Sequence, residues 1–220
     1  MDTYSGFPAT GKMTSTAARE VEGGSLTEAI GGAGAVVLAI LGLVGVLPQT
    51  MAAVATIAAG VALLVGGGAV AARYSRLLLG AGSETARREI VGGMGLEALA
   101  GIAGIVLGVL ALLGINPLTL LSVAAIVLGA ALLMASGALA RLESMTRWAD
   151  VNTAERVSHG AVYVASGSDV IVGAGAVVLG ILALTGHGSM TLLLVALLSV
   201  GAAVLLSGSS LAARVFSLFG

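Results

Sequence analysis

Hydrophobic and polar positions alternate along this chain in long blocks, so that apolar segments are separated by short polar corners or by longer charged stretches. Each segment has about 17–23 residues, close to the ~20 that a helix needs to cross the hydrocarbon core of a bilayer. None contains a proline, and none contains a charge beyond its first residue. The pattern predicts an all-α membrane protein with six transmembrane helices. Their predicted ranges are 28–46, 50–72, 97–115, 119–140, 169–185 and 191–213.

Buried strands are the alternative for segments this apolar. Their length and their glycine and alanine content favour helices. Strands that cross a membrane also require a closed barrel with alternating polarity, and that alternation is not seen here.

The six segments form three tandem helical hairpins that repeat one unit: an acid, an apolar segment, a corner threonine, a second apolar segment and an arginine. The acid lies at the same distance before the corner threonine in every copy. Glycines also keep their places, four residues after the acid and ten after the threonine. We interpret this as a pseudo-threefold internal repeat. The recurring residues are Glu28, Glu97 and Asp169; Thr50, Thr119 and Thr191; Arg73, Arg141 and Arg214; Gly32, Gly101 and Gly173; and Gly60, Gly129 and Gly201.

Polar stretches set the predicted boundaries of the repeats. A pattern of threonine, helix formers and charge begins at Thr16 and recurs at Thr85 and Thr153, and we expect a short juxtamembrane helix at each. The predicted organisation is a polar tail over 1–15, hairpins over 16–76, 85–144 and 153–220, and linkers over 77–84 and 145–152.

The composition agrees with a membrane location. The chain is 58% hydrophobic and only 10% charged, with a mean hydropathy of +1.09, whereas a soluble domain has about 25% charged residues. The 34 glycines favour tight helix packing, because helices in lipid associate by close contact between small residues. The net charge of −1 gives no indication of a nucleic-acid partner, and cysteine is absent.

The basic residues predict the orientation. In this scheme all ten lie on the side of the termini and long loops, and the three short corners contain none. The positive-inside rule therefore places both termini in the cytoplasm of a multi-pass cell (inner) membrane protein.

A family resemblance rests on the corner Leu112-Leu113-Gly114-Ile115-Asn116-Pro117-Leu118-Thr119 and on the glycine-bearing return segment 126–133. Three two-helix repeats of this kind resemble the HdeD-type acid-resistance membrane proteins, over about residues 25–215. The resemblance implies a small inner-membrane protein linked to stress tolerance. The chain departs from that family in its low tryptophan content and in the absence of Asn-Pro from its first and third corners.

The three acids support two interpretations. Ionisable groups in spanning segments are costly and often functional, which suggests a proton or cation site. Structurally, each acid would lie at a helix start, where the helix dipole favours it. Each would then pair with the arginine of its own hairpin. The sequence favours the structural interpretation, with the pairs Glu28–Arg73, Glu97–Arg141 and Asp169–Arg214.

Other polar residues give little indication of chemistry. His159 and His187 lack a second metal ligand at helical spacing, so neither predicts a metal site. We expect Ser207, Ser209 and Ser210 to bond a neighbouring helix or a backbone carbonyl. The sequence shows no catalytic set, cofactor fingerprint or phosphate loop, so we expect no enzyme and no cofactor.

Three functions remain open from the sequence. The first is a structural or interaction protein that packs, or forms a homo-oligomer or a complex with another membrane subunit, through its glycine-rich helix faces. The second is a channel or transporter for protons, small ions or small neutral molecules. The third is a lipid- or quinone-binding subunit.

Overall fold

The protein folds into a bundle of long helices. In the computed structural model the backbone is described for residues 15–78, 84–146, 156–186 and 189–219, and the side chains for 26–68, 95–136, 170–186 and 190–209. All regular structure in these ranges is helical. The helices are α1 (Ser15–Leu43), α2 (Pro48–Leu78), α3 (Glu84–Leu112), α4 (Pro117–Thr146), α5 (Arg156–Leu184) and α6 (Ser189–Phe219).

The helices are longer than the predicted segments. The patterns at Thr16 and Thr85, where we expected short juxtamembrane helices, are helical, and each is continuous with the apolar part of α1 or α3. The residues between pattern and apolar segment include glycines, such as Gly23 and Gly24, but no proline. Glycine weakens a helix by about 1 kcal/mol relative to alanine without interrupting it, and the helix runs through them. The predicted tail lies outside the described residues except for Ser15, the first residue of α1.

Apolar stretches in the described part of the chain are long enough to cross a membrane in five helices. In α5 the described apolar stretch is shorter, Val170–Leu184, because the side chains before it lie outside the described ranges. The chain is a multi-pass integral membrane protein. The five stretches are Leu26–Leu43, Pro48–Gly68, Gly95–Leu112, Pro117–Ser136 and Met190–Ser209.

The corners end each outward helix in the same way. Gly45, Gly114 and Gly186 all have positive φ angles, a conformation that glycine adopts without steric cost. After α1, the Val46 amide donates to the Leu41 carbonyl and the Gly45 amide to the Gly42 carbonyl. This pair of bonds is a Schellman motif, which satisfies the last carbonyls of the helix.

The six helices form an inner and an outer set. The inner helices α2, α4 and α6 contact one another, and each outer helix lies between two of them: α1 between α6 and α2, α3 between α2 and α4, and α5 between α4 and α6. Burial follows the same division, since 56% of the α2 stretch is buried against 28% of the α1 stretch. Leucine, valine and alanine from the inner helices fill the centre, including Leu63, Leu128 and Val200.

The outer helices expose apolar stripes. On α3 the exposed large side chains recur every three or four residues, which places them on one face of the helix. Large exposed apolar surfaces are uncommon on soluble monomers, and here they are the surface that contacts lipid. The α3 stripe consists of Leu96, Leu99, Ile102, Val106 and Val109.

Candidate functional site

The structure places Glu28, the acid of the first predicted repeat, inside the helix bundle. Glu28 lies on α1, and only 6% of its surface is exposed. Its carboxylate faces α2 at Gly66, where an added methyl group would lie 2.8 Å from Glu28 Oε2. On the other side it meets α6 at Ser207. Three helices therefore enclose this carboxyl group, and the absence of a side chain at Gly66 makes the space for it.

Ser207 on α6 is a polar partner of Glu28. Ser207 Oγ lies 2.5 Å from Glu28 Oε1, and its hydroxyl also lies 3.3 Å from the carbonyl oxygen of Val204, one turn earlier in α6. The sequence predicted that Ser207 and Ser209 would bond a neighbouring helix or a backbone carbonyl. Both predictions are confirmed, since Ser209 donates to the Leu206 carbonyl. Ser210 lies outside the described side chains.

The other two acids are placed differently. Glu97 on α3 is half-buried. Asp169 lies on α5, and its side chain is outside the described ranges. Glu28 is thus the acid that the structure shows buried against a polar group of another helix.

The helix-dipole explanation of the three acids is wrong. Glu28, Glu97 and Asp169 lie far along helices that begin at Ser15, Glu84 and Arg156. The separation along each helix axis is about 20 Å, whereas the dipole effect fades within the first turn. The explanation fails because the helices begin earlier than the apolar segments do.

The acid–arginine pairs stay a prediction, because the side chains of Arg73, Arg141 and Arg214 lie outside the described ranges. The register of the first hairpin is nevertheless clear, since Glu28 faces Gly66. Arg73 lies two helical turns farther along α2, which is on the order of 10 Å along the helix axis. Counting residues from Thr50 in the sequence places Glu28 and Arg73 at the same membrane depth. The turn between the two helices lies earlier, between Leu43 and Pro48, so the two residues are not level.

The predicted packing glycines meet in pairs. A methyl group on Gly101 of α3 would lie 2.5 Å from the Gly60 carbonyl oxygen of α2. On Gly173 of α5 it would lie 2.7 Å from the Gly129 carbonyl oxygen of α4. The pair that joins α1 to α6 is Gly32 and Gly201, with 3.2 Å between a methyl on Gly201 and the Gly32 carbonyl oxygen. These backbones approach closely only because no side chain lies between them.

Buried hydroxyl groups on α2 and α4 were missed from the sequence. Thr56 is fully buried and donates to the Ala52 carbonyl at 2.8 Å, and Ser136 donates to the Leu133 carbonyl at 2.8 Å. Ser122 is also fully buried, but its hydroxyl has no hydrogen-bond partner among the described residues. A single serine or threonine in an apolar helix gives no sign of which way it faces until the neighbouring helices are known.

Within the described residues, no group of three or more His, Asp or Glu side chains is placed to hold a metal ion. His159 and His187 lie outside the described side chains. Comparisons of the chain with protein-family models, with curated proteins and with solved structures find no match.

Proposed function

We propose that the chain is a non-enzymatic membrane protein with a structural or interaction role. The observation that best supports this role is that many of its glycines lie where two helices touch. Gly32, Gly60, Gly101, Gly129 and Gly173 all lie in close contacts between helices of the same bundle. Such contacts fix neighbouring helices by van der Waals packing, which is the main source of helix association in lipid.

The repeat and orientation belong to the same proposal. Three glycine pairs join α1 to α6, α3 to α2 and α5 to α4 at corresponding positions, and this supports a triplicated two-helix unit about a pseudo-threefold axis. The positions of the basic residues support cytoplasmic termini. The apolar centre around Leu63, Leu128 and Val200 weighs against a polar path along that axis.

Association with a second copy or with another membrane subunit would have to use the outer helices, because the inner three are enclosed. Gly34 on α1 and Gly175 on α5 leave open space around their backbones. A partner helix would find room there, as small residues permit.

Native mass spectrometry of the protein in lipid nanodiscs tests the interaction role. We expect a defined oligomer or a co-purifying subunit, and we expect Gly34→Leu or Gly175→Leu to weaken it while the bundle stays folded. Gly101→Ala is the comparison variant: it disturbs a contact inside the bundle, so we expect it to lower thermal stability rather than act at the outer surface. A clean monomer at all concentrations would contradict the interaction role.

A role in stress tolerance follows only from the resemblance to HdeD-type proteins. It is tested by acid survival of cells that lack the chain, complemented with the native protein or with Gly101→Leu. We expect the native protein to restore survival and the variant to restore less. Equal survival with and without the chain would remove this role.

A further inference from the structure

We propose that Arg88 binds the phosphate of an anionic phospholipid whose acyl chains lie along the α3 stripe. The binding surface is the lipid-facing side of α3, from its first turns to the exposed apolar residues of the stripe. The partner is a phospholipid of the leaflet on the side where α3 begins. The inference concerns the outer surface of the bundle, so it goes beyond the structural role proposed above and does not depend on it.

The helical backbone places Arg88 in line with the α3 stripe. Arg88 belongs to the helix Glu84–Leu112 and lies 18 residues before Val106 and 11 before Leu99. At ~3.6 residues per turn these spacings are about five turns and about three turns, so the three positions share one face of the helix. Val106 is 50% exposed and Leu99 is 62% exposed, which identifies this face as the one that contacts lipid. The apolar stripe therefore leads to a basic residue.

Distance along the helix axis places Arg88 at the level of lipid headgroups. Arg88 lies 24 residues before Leu112, where α3 ends, which is about 36 Å along the axis. The hydrocarbon core of a bilayer is about 30 Å thick, and the two headgroup layers bring the total to about 40–45 Å. With Leu112 at one edge of the core, Arg88 lies in the headgroup layer at the other edge. The phosphate of a lipid lies at this level, and its acyl chains extend along the stripe.

The chemistry of arginine fits a phosphate at this position. A guanidinium group stays charged at any physiological pH, and its planar fork of N–H donors matches two phosphate oxygens at once. Basic residues next to the membrane surface attract anionic lipids. A zwitterionic headgroup carries a cation of its own, which offsets this attraction. Charge complementarity therefore favours an anionic phospholipid.

The same arrangement recurs on α1. Arg19 lies 11 residues before Ile30 and 18 residues before Val37, the spacings found on α3. Ile30 and Val37 are exposed, as their counterparts on α3 are. On α5 the corresponding position is Gly160, so we propose no site of this kind there. Two of the three outer helices thus have an arginine in line with their lipid-facing residues.

Glu84 provides the competing interaction. It lies four residues before Arg88 on the same helix, a spacing at which an acid and a base attract each other. Such a pair on a helix surface is weak, and a guanidinium group has five N–H donors, enough to bind a carboxylate and a phosphate together. Residues 84–91 contain two arginines and two glutamates, so the proposal rests on the face that Arg88 occupies rather than on a basic segment.

Arg87 is the matched control. It precedes Arg88 by one residue, so it has nearly the same depth but lies about 100° around the helix. It lies 14 residues before Gly101, which places it about 40° from the side of α3 that contacts α2. The two arginines have the same charge, so a general electrostatic attraction would act on both equally. A site on the lipid-facing side distinguishes them.

Native mass spectrometry during a lipid titration tests the proposal. Delipidated full-length protein in detergent is titrated with phosphatidylglycerol and, separately, with phosphatidylcholine that has the same acyl chains. We expect phosphatidylglycerol to bind the native protein more tightly. Arg88→Gln should weaken its binding about fivefold, and Arg87→Gln by less than about twofold. Arg88→Lys should have an intermediate effect, because lysine keeps the charge but not the planar fork.

Equal affinities of the native protein for the two lipids overturn the proposal, and so do equal losses in Arg87→Gln and Arg88→Gln. If Arg88→Gln does not fold, Arg88→Lys compared with Arg87→Lys decides the question in the same way. A lower thermal midpoint in both Arg88→Gln and Glu84→Gln, with lipid affinity unchanged, would assign Arg88 to the intrahelical pair instead. An acidic protein released by Arg88→Gln, again with lipid affinity unchanged, would make the partner a protein and also overturn the proposal.

Discussion

In the contact between α2 and α3, Gly101 has a hydrogen atom where any other residue has a Cβ atom. A methyl group there would lie 2.5 Å from the Gly60 carbonyl oxygen and 2.6 Å from the Leu64 amide nitrogen. Both atoms belong to the backbone of α2, so neither moves without moving the helix. Whether this position accepts a larger residue therefore depends on the distance between the α2 and α3 backbones rather than on side-chain rotamers.

We expect Gly101→Ala to destabilise the bundle by about 1–3 kcal/mol through overpacking. Gly34→Ala is the control. It lies on α1 with nothing within 4 Å of an added methyl group, and alanine favours a helix over glycine by about 1 kcal/mol. Thermal unfolding in detergent should show a lower midpoint for the first variant and an equal or higher one for the second. Equal midpoints would show that the α2–α3 contact yields easily.

Two buried serines of α4 offer a matched comparison. Ser122 has no hydrogen-bond partner among the described residues, whereas Ser136 donates to the Leu133 carbonyl at 2.8 Å. Removing an unpaired buried hydroxyl relieves a desolvation cost of about 1–3 kcal/mol, and removing a paired one loses about 0.5–1.5 kcal/mol.

We therefore expect Ser122→Ala to be neutral or stabilising and Ser136→Ala to be destabilising. The two variants make the same chemical change in the same helix, so helix propensity cancels between them. Thermal midpoints in detergent measure the difference, and the reverse order would contradict the hydrogen-bond assignment.

Single residues were predictable from the sequence where spacing alone identifies them. The glycines at Gly32, Gly60 and Gly101 recur at fixed distances from an acid or a threonine, and the structure places them in helix contacts. The contact between Glu28 and Ser207 was not predictable. It joins residues 179 apart in the chain, and it depends on α6 packing beside α1, which the hairpin pattern does not specify.

At the scale of single elements, the corners differ in how well their residues suit the backbone. Leu47 and Asn116 have φ angles of +41° and +40°, in the left-handed region. Asparagine enters this region readily, whereas for a residue such as leucine it costs about 1–2 kcal/mol. Asn116 also contacts Thr119 of α4, whose hydroxyl lies 3.2 Å from Asn116 Oδ1. The second corner is thus better suited to its conformation than the first.

The exchange of these residues tests that difference. We expect Leu47→Asn to stabilise the protein by about 0.5–1 kcal/mol and Asn116→Leu to destabilise it by about 1–2 kcal/mol, since the latter also loses the contact with Thr119. Leu47 is exposed, so its replacement removes little packing. Thermal unfolding checks both variants, and a loss of stability in Leu47→Asn would show that the strain is relieved elsewhere.

Helix number and type were predictable because each apolar segment exceeds the length of a strand. Helix ends were not, as α1 and α3 show. Their amphiphilic first turns, Ser15 onward and Glu84 onward, are continuous with the apolar helices. Hydropathy indicates where a helix leaves the membrane. The helix itself ends where its backbone hydrogen bonds end.

At the scale of the whole molecule, chemical labelling measures how the protein is oriented in the membrane. The chain has no cysteine, so a single introduced cysteine gives an unambiguous signal. With cytoplasmic termini, cysteines at Gln49 and Leu118 should react with an impermeant reagent from outside intact cells, and one at Thr85 should not. Lysed cells provide the control, in which all three react. The opposite pattern in intact cells would invert the topology.

The division into inner and outer helices could not be predicted from the sequence. All six helices are apolar over most of their length, so composition does not distinguish α2 from α1. The difference arises from large side chains such as Leu63 and Val200, which pack centrally, and Ile102, which contacts lipid. In a membrane both surroundings are apolar, and hydrophobicity alone does not separate them.

The contact of α1 with α6 has a consequence for how the protein is made. The face of α1 that bears Gly32 lacks its native partner until Gly201 on α6 has been synthesised, after the five helices that precede it. Until then α6 does not cover this face of α1 in the bilayer. Two chains emerging side by side can each supply the α6 that the other lacks, and the same surfaces would then join them as a domain-swapped dimer.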